Sequence, residues 1–145
     1  MIIEEMTCPT EEIYQAFHRL IPQLTQHSLP PSWEDLQTMA ESPGTVILIA
    51  REDDKDRQII GSATLGLFQT PTGRHGWIED VIVDEGARRQ GVGKALTEAC
   101  LQKARDIGLH AVNLTSRPDR KAANQLYISL GFSRRETNLY CYELS

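Results

Sequence analysis

The chain has 145 residues, 40% of them hydrophobic and 24% charged, and a formal net charge of −5. This length suits one domain with its own hydrophobic core, which we predict over residues 1–145. The acidic balance argues against a general nucleic-acid or acidic-membrane surface, because both need a basic face. The three cysteines are odd in number and far apart, so neither a disulfide framework nor a zinc site is indicated.

The N-terminal residues Met1–Glu5 lack the basic and apolar segments of a signal peptide. No apolar run in the sequence approaches about 18 residues, the length typical of a membrane span. We therefore expect a cytoplasmic enzyme or binding protein.

The first half of the chain predicts two helices and three strands. Thr7 or Thr10 can cap a helix that begins near Glu11, whose carboxylate suits a helix N-terminus. Ser32, followed three residues later by Asp35, predicts the start of a second, short helix. Apolar and β-branched residues predict strands over 2–6, 45–51 and 59–68.

The second half of the chain begins with a strand over Trp77–Val83. A helix follows Gly91 and stops at Gly108, and the next strand, Ala111–Thr115, is therefore expected to run parallel to the first. A further helix and a tail that alternates like a final strand, residues 138–144, complete the chain. The predicted fold is α/β, with a mixed, largely antiparallel sheet of about seven strands and about four flanking helices. Its fourth and fifth strands form the parallel pair.

The turn between the strand and the long helix has the pattern of an anion site. Gly91 and Gly93 stand where the helix begins, and Arg88, Arg89 and Lys94 add positive charge. The first turn of a helix offers N–H groups without partners inside the helix, and the helix dipole favours an anion there. Glycine lets a bulky ligand approach the main chain. We interpret this segment as a diphosphate-binding turn.

Two other phosphate motifs fit this turn poorly. A Walker A loop would need a lysine directly after its second glycine, and Val92 follows Gly91 instead. A dinucleotide-binding fingerprint would need a third glycine, where Leu96 stands, and its strand would not belong to an antiparallel meander. A helix start without a ligand leaves the closely spaced glycines and three cations unexplained. A bound diphosphate therefore remains our interpretation of this turn.

Two blocks of sequence resemble the GCN5-related N-acetyltransferases, the GNAT superfamily. The first is Arg88-x-x-Gly91-x-Gly93-Lys94-Ala95-Leu96, which follows Glu79-Asp80-Val81, and the second is Asn124-x-x-Tyr127-x-x-x-Gly131-Phe132. The resemblance implies transfer of an acetyl group from acetyl-CoA to an amine. It also implies that the fourth and fifth strands splay apart around the pantetheine arm, and that the protein forms a homodimer.

The resemblance further implies which residues bind acetyl-CoA. The pantetheine arm would pair with the main chain of the strand, and the diphosphate would rest on N–H groups of the turn. Asn124 usually reaches the pantetheine or phosphate region in this family. The expected cofactor-binding residues are Val81, Ile82, Val83, Arg88, Arg89, Gln90, Gly91, Val92, Gly93, Lys94, Ala95, Asn124 and Tyr127.

Tyr127 and Glu79 are the expected catalytic residues. The tyrosine matching Tyr127 usually protonates the leaving thiolate in this family, and a phenol with a pKa of roughly 10 stays protonated at neutral pH. Helical periodicity alone favours a core position for Tyr127, whereas the family motif favours the catalytic role. Glu79 is the candidate base, acting directly or through water. Simple alternation places Glu79 on one face of the strand together with Trp77, Val81 and Val83. A structural ion pair is the alternative role for Glu79, and Asp80 is a weaker candidate base.

The acceptor is expected to be a primary amine of a small molecule. Arg117, Arg134 and Arg135 favour an anionic amine, such as an amino acid or an amino sugar phosphate. The alternatives are acetylation of a protein N-terminus or lysine, and a non-catalytic acyl-CoA-binding module. The four histidines share no metal-ligand spacing, so no metal is expected, and neither nucleic acid nor a membrane is an expected partner.

Overall fold

The computed structural model describes residues 1–145, which divide into two compact units, Met1–Leu114 and Thr115–Ser145. The first unit contains five strands, three α-helices and a 3-10 turn. In chain order these are β1 (Ile2–Glu5), α1 (Glu11–Leu24), α2 (Trp33–Glu41), β2 (Thr45–Arg51), β3 (Ile59–Thr70), β4 (Gly73–Val83), the 3-10 turn (Glu85–Ala87), α3 (Val92–Ile107) and β5 (Ala111–Asn113). The second unit contains one helix, α4 (Lys121–Ser129).

The five strands form one sheet in the order β1-β2-β3-β4-β5. Neighbouring strands are antiparallel except β4 and β5, which are parallel, as the crossover helix α3 predicted. The continuous apolar run of β2 is explained by burial on both faces, since Val46 to Ala50 are all buried.

Helix α1 places its apolar stripe on one face of this sheet. Ile13, Ala16, Phe17 and Leu20 are buried in a cluster with side chains of α2 and of three strands. The other members of that cluster are Met6, Leu36, Ile47, Ile49, Ile59 and Ile82. Helix α1 thereby lies across the strands that carry the candidate site.

Helix α3 packs closely on β3, and Gly61 makes this approach possible. A Cβ atom at Gly61 would lie 2.7 Å from the Ile82 carbonyl oxygen and 3.1 Å from side-chain carbons of Val92 and Leu96. Any larger residue would push the helix away from the sheet.

The predicted helix caps are present. The Thr10 hydroxyl accepts a hydrogen bond from the Ile13 N–H, and Ser32 and Asp35 form a reciprocal capping box. Gly108 ends α3 in the left-handed conformation, with φ 86°. No helix in the structure is long and apolar enough to cross a membrane.

The prediction of seven strands is wrong by two, because the structure has five. Residues 138–144 alternate as a strand would, yet they form no strand, and Leu139 and Tyr142 are exposed. A β-strand needs a neighbouring strand to complete its hydrogen-bond ladder, and the unit Thr115–Ser145 contains no strand.

Candidate active site

The sheet changes register in the middle of β4. Thr64 pairs with Glu79 and Ser62 pairs with Ile82, so β4 has one more residue than β3 across this interval. Asp80 lies inside the interval with φ 50°, a left-handed conformation that is uncommon for a residue other than glycine. This is a β-bulge, a feature that bends a strand and redirects its side chains.

The bulge corrects the predicted surroundings of Glu79. Residues paired across a ladder share a face, and Thr64 also pairs with Ile47, which belongs to the core cluster under α1. Glu79 therefore shares the α1 face with Ile82 and not with Val83, because the extra residue shifts the alternation. The Glu79 side chain is exposed rather than enclosed by apolar neighbours.

Strands β4 and β5 pair over a short distance only. Their ladder joins His75–Trp77 to Ala111–Asn113, and β5 ends there. Strand β4 continues through Ile78–Val83 with no strand partner on its β5 side. On this side, the main-chain groups of the segment are therefore free of strand pairing. Pantetheine binding was predicted for Val81 to Val83, which lie in this segment.

The segment after β4 leads into the N-terminus of α3. The Asp84 carboxylate accepts a hydrogen bond from the Gly86 N–H at 3.3 Å and caps the 3-10 turn. Arg89 (φ 66°) and Gly91 (φ 81°) then adopt left-handed conformations. Gly91 is the N-cap of α3, and no side chain accepts a hydrogen bond there. The first N–H groups of α3 are thus without a capping side chain, as an anion site requires.

The two glycines of the motif have different structural reasons. Gly91 needs its left-handed backbone, and a Cβ atom there would meet nothing within 4 Å. At Gly93 the nearest heavy atom to such a Cβ is a methyl carbon of Val83 at 3.7 Å, an ordinary contact. Neither glycine is required by packing, so both leave open space beside the helix start.

The remaining side chains expected in the turn fall into two groups. Arg88, Arg89 and Gln90 are exposed, and Lys94 lies 3.8 Å from Glu98 in an exposed ion pair. Ile82 and Val92 are buried side chains, and Ala95 is half-buried. Ile82 and Val92 can therefore serve a ligand only through their main chain.

Two residues of α1 contact the same turn, and no sequence pattern indicated them. Arg19 Nε lies 3.2 Å from Asp84 Oδ2, and the Gln23 side-chain oxygen accepts a hydrogen bond from the Glu85 N–H at 2.8 Å. More than sixty residues separate the partners in sequence. Only the folded chain brings them together.

The second unit carries the other predicted site residues on α4. The Asn124 amide donates a hydrogen bond to the Arg117 carbonyl oxygen at 3.0 Å, which fixes the loop before the helix. The half-buried Tyr127 ring packs edge-on against Phe132, with ring centroids 5.7 Å apart. Arg117, Arg134 and Arg135 are exposed.

Other polar candidates have local partners. The His75 ring nitrogen is 2.9 Å from the Thr70 hydroxyl, and the His18 ring packs at a tilted angle against Tyr14, with ring centroids 4.5 Å apart. Cys100 is fully buried on the apolar stripe of α3, as predicted, and burial raises the pKa of its thiol to about 12. No group of three or more His, Cys, Asp or Glu side chains is placed to hold a metal ion.

Comparison with known proteins defines the class to which this fold and site belong. The model of the acetyltransferase (GNAT) family matches residues 10–132. The chain belongs to this family, whose members use acetyl-CoA as the acetyl donor.

Individual relatives agree with this assignment. The chain is 31% identical to N-acetyltransferase 8 of Homo sapiens over 100 residues, which are 68% of this chain but only 43% of that protein. It is 26% identical to glucosamine 6-phosphate N-acetyltransferase 1 of Oryza sativa subsp. japonica, over 83% of this chain and 72% of the relative. The crystal structure of an acetyltransferase of Trypanosoma brucei superposes with a TM-score of 0.75 at 28% identity, covering 98% of this chain and 99% of the other.

Proposed function

We propose that the protein is an N-acetyltransferase that moves the acetyl group of acetyl-CoA directly to a primary amine of a small molecule. One observation carries the proposal. The segment Ile78–Val83, which has no strand partner on its β5 side, runs into a helix start that has two glycines and no side-chain cap. A free strand edge followed by free helix N–H groups matches an extended amide chain that ends in a diphosphate.

The donor would be bound mainly through the main chain. The edge of Val81 to Val83 would pair with the amide groups of pantetheine, and the N–H groups from Arg88 to Lys94 would receive the diphosphate. Arg88 and Arg89 are exposed, so they contribute charge that attracts the anion more than fixed contacts.

The reaction needs two proton movements. The amine nitrogen must lose a proton as it forms a bond to the acetyl carbonyl carbon, and Glu79 is the proposed acceptor of that proton, directly or through water. The bond between this carbon and the CoA sulfur then breaks, and Tyr127 is the proposed donor to the departing thiolate. Glu79 is exposed on the α1 face, where an acceptor amine can reach it.

An anionic amine is the proposed substrate class. A relative named glucosamine 6-phosphate N-acetyltransferase 1 covers most of this chain. The exposed Arg117, Arg134 and Arg135 provide positive charge suited to a phosphate or carboxylate on the acceptor. The net charge of −5 does not oppose this, because a small ligand responds to local charge.

Release of free CoA against a panel of amines tests the proposal. The panel contains amino sugars with and without a phosphate, amino acids and a lysine peptide, and a blank without amine corrects for the exposed Cys8 and Cys141 thiols. We expect turnover with an anionic small amine.

Tyr127→Phe should lower kcat at least tenfold, or about 1.4 kcal/mol of transition-state stabilisation. Tight acetyl-CoA binding without turnover on any amine would contradict catalysis, and an unchanged kcat would remove Tyr127 from the mechanism.

A further inference from the structure

Arg19 and Gln23 of helix α1 contact the beginning of residues 84–91, a segment that we call the anion turn. We call these two residues the α1 clamp. Arg19 uses two of its nitrogen atoms, Nε toward the Asp84 carboxylate and Nη2 toward the Ile59 carbonyl oxygen. Gln23 accepts a hydrogen bond from the Glu85 N–H. The clamp thus contacts the end of β4, the start of β3 and the first residue of the 3-10 turn.

The Asp84 carboxylate connects Arg19 to the turn. One of its carboxylate oxygens faces Arg19, and the other accepts a hydrogen bond from the Gly86 N–H. Its own N–H donates to the Ile60 carbonyl oxygen at 2.8 Å. The Asp84 side chain is only 17% exposed, so solvent screens its charge less than that of a surface carboxylate. Loss of Arg19 would leave this carboxylate without its cationic partner.

The turn beyond Asp84 needs such support because its backbone is strained. Arg89 has φ 66°, a left-handed conformation that is energetically unfavourable for a residue other than glycine. When the N–H groups are already ordered in the free protein, binding does not carry the entropic cost of ordering them. Contacts from a packed helix to one end of the turn can provide that order.

We propose that Arg19 and Gln23 are positioning residues that hold residues 84–91 in the conformation that receives the diphosphate of acetyl-CoA. The identity of this ligand rests on the proposed function, whereas the ordering of the turn concerns the free protein. Two readouts therefore test the proposal, one with the ligand and one without it.

The experiment compares Arg19→Met and Gln23→Met, which remove the polar contacts and keep an unbranched apolar side chain at each position. Glu12→Gln is the matched control, because Glu12 pairs with Arg51 near the other end of α1 and does not touch the turn. Amide hydrogen exchange over residues 85–91 is measured in the free proteins, and the Kd of CoA by calorimetry. We expect both Met variants to speed this exchange at least fivefold and to raise Kd five- to twentyfold. The control should leave both quantities within twofold of wild type.

A double-mutant cycle shows whether Arg19 acts through Asp84. Asp84→Asn retains an oxygen for the Gly86 N–H and removes the charge, so it should raise Kd much less in the Arg19→Met background than in wild type. Equal increases in both backgrounds would overturn this route.

Unchanged exchange over 85–91 in both Met variants overturns the clamp itself, whatever the binding data show. If wild-type protein binds no CoA, the proposed function fails, and exchange alone decides the clamp. Should Arg19→Met not fold, the half-buried Gln23 still provides the test, since its replacement leaves the core of α1 intact.

Discussion

Gly93 is a residue whose identity the free protein does not explain. Its backbone is outside the left-handed region, and a Cβ atom would make only an ordinary contact with Val83. Glycine in the first turn of a helix also costs stability relative to other residues. Close approach of a ligand to the main chain would account for a glycine here.

Replacement of Gly93 by Asp should separate stability from binding. An acidic residue at the second helical position interacts favourably with the dipole, so the Tm should stay the same or rise. The same charge would repel a diphosphate, and the KM for acetyl-CoA should rise at least tenfold. Gly93→Asn is the control, because it has the same shape without the charge. Equal KM values for Asp and Asn would contradict an anion site at this turn.

At the scale of elements, α1 connects the sheet core to β2 and to the turn that follows β4. Near its N-terminus Glu12 lies 2.7 Å from Arg51 Nη2 on β2, and near its C-terminus Arg19 and Gln23 reach the anion turn. Its apolar stripe packs against Ile82 of β4 between these polar contacts. Helix α1, in which no sequence pattern indicated a site residue, thus contacts the turn that precedes the glycine motif.

The Glu12–Arg51 pair makes stability depend on pH in a defined window. The hydrogen bond from Arg51 and its charge lower the pKa of Glu12 below the ordinary 4.5, although burial opposes this. A lowered folded-state pKa contributes stability that is fully present above about pH 4.5 and is lost as the pH falls through the folded value. Wild type should therefore be more stable than Glu12→Gln at pH 7, and the two should converge toward pH 3.

Urea unfolding followed by circular dichroism between pH 3 and 7 measures this difference. A gap between wild type and Glu12→Gln that stays constant below pH 4.5 would contradict the assigned coupling. Glu5→Gln is a useful comparison, since Glu5 pairs with Lys103 rather than Arg51.

At the scale of the whole molecule, the three thiols report on the folded state. Cys8 and Cys141 are exposed, whereas Cys100 is on α3 and is buried. Thiolate is the reactive form, and burial both raises the pKa of Cys100 to about 12 and blocks access to it.

Iodoacetamide at pH 8 should therefore label Cys8 and Cys141 in the native protein and leave Cys100 unmodified. In concentrated urea all three should react, because unfolding returns Cys100 to water. Peptide mass spectrometry measures the labelling at each position. Native labelling of Cys100 at the rate of Cys8 would contradict the packing of α3 on the sheet.

Local sequence determined much of the fold and the outline of the donor site. The caps at Thr10 and Ser32, the stop at Gly108 and the left-handed Gly91 all depend on partners a few residues away. Hydrogen bonds of this kind are encoded in short patterns, so the sequence alone predicted these helix boundaries. The parallel pair of β4 and β5 was predicted from the crossover helix between them, and the family from two short blocks within the matched residues 10–132. The diphosphate-binding role of the turn stays a prediction.

Tertiary structure decided what depends on distant partners. The bulge at Asp80 appears only when β4 pairs with β3, and it puts Ile82 rather than Val83 on the same face as Glu79, against the simple alternation. The contact between Arg19 and Asp84 spans 65 residues, and no local pattern encodes it. The alternating tail likewise formed no strand, because a strand exists only where a neighbouring backbone completes its hydrogen bonds. Short sequence patterns thus specified the glycine-containing helix start, and the packed sheet decided which side chains surround it.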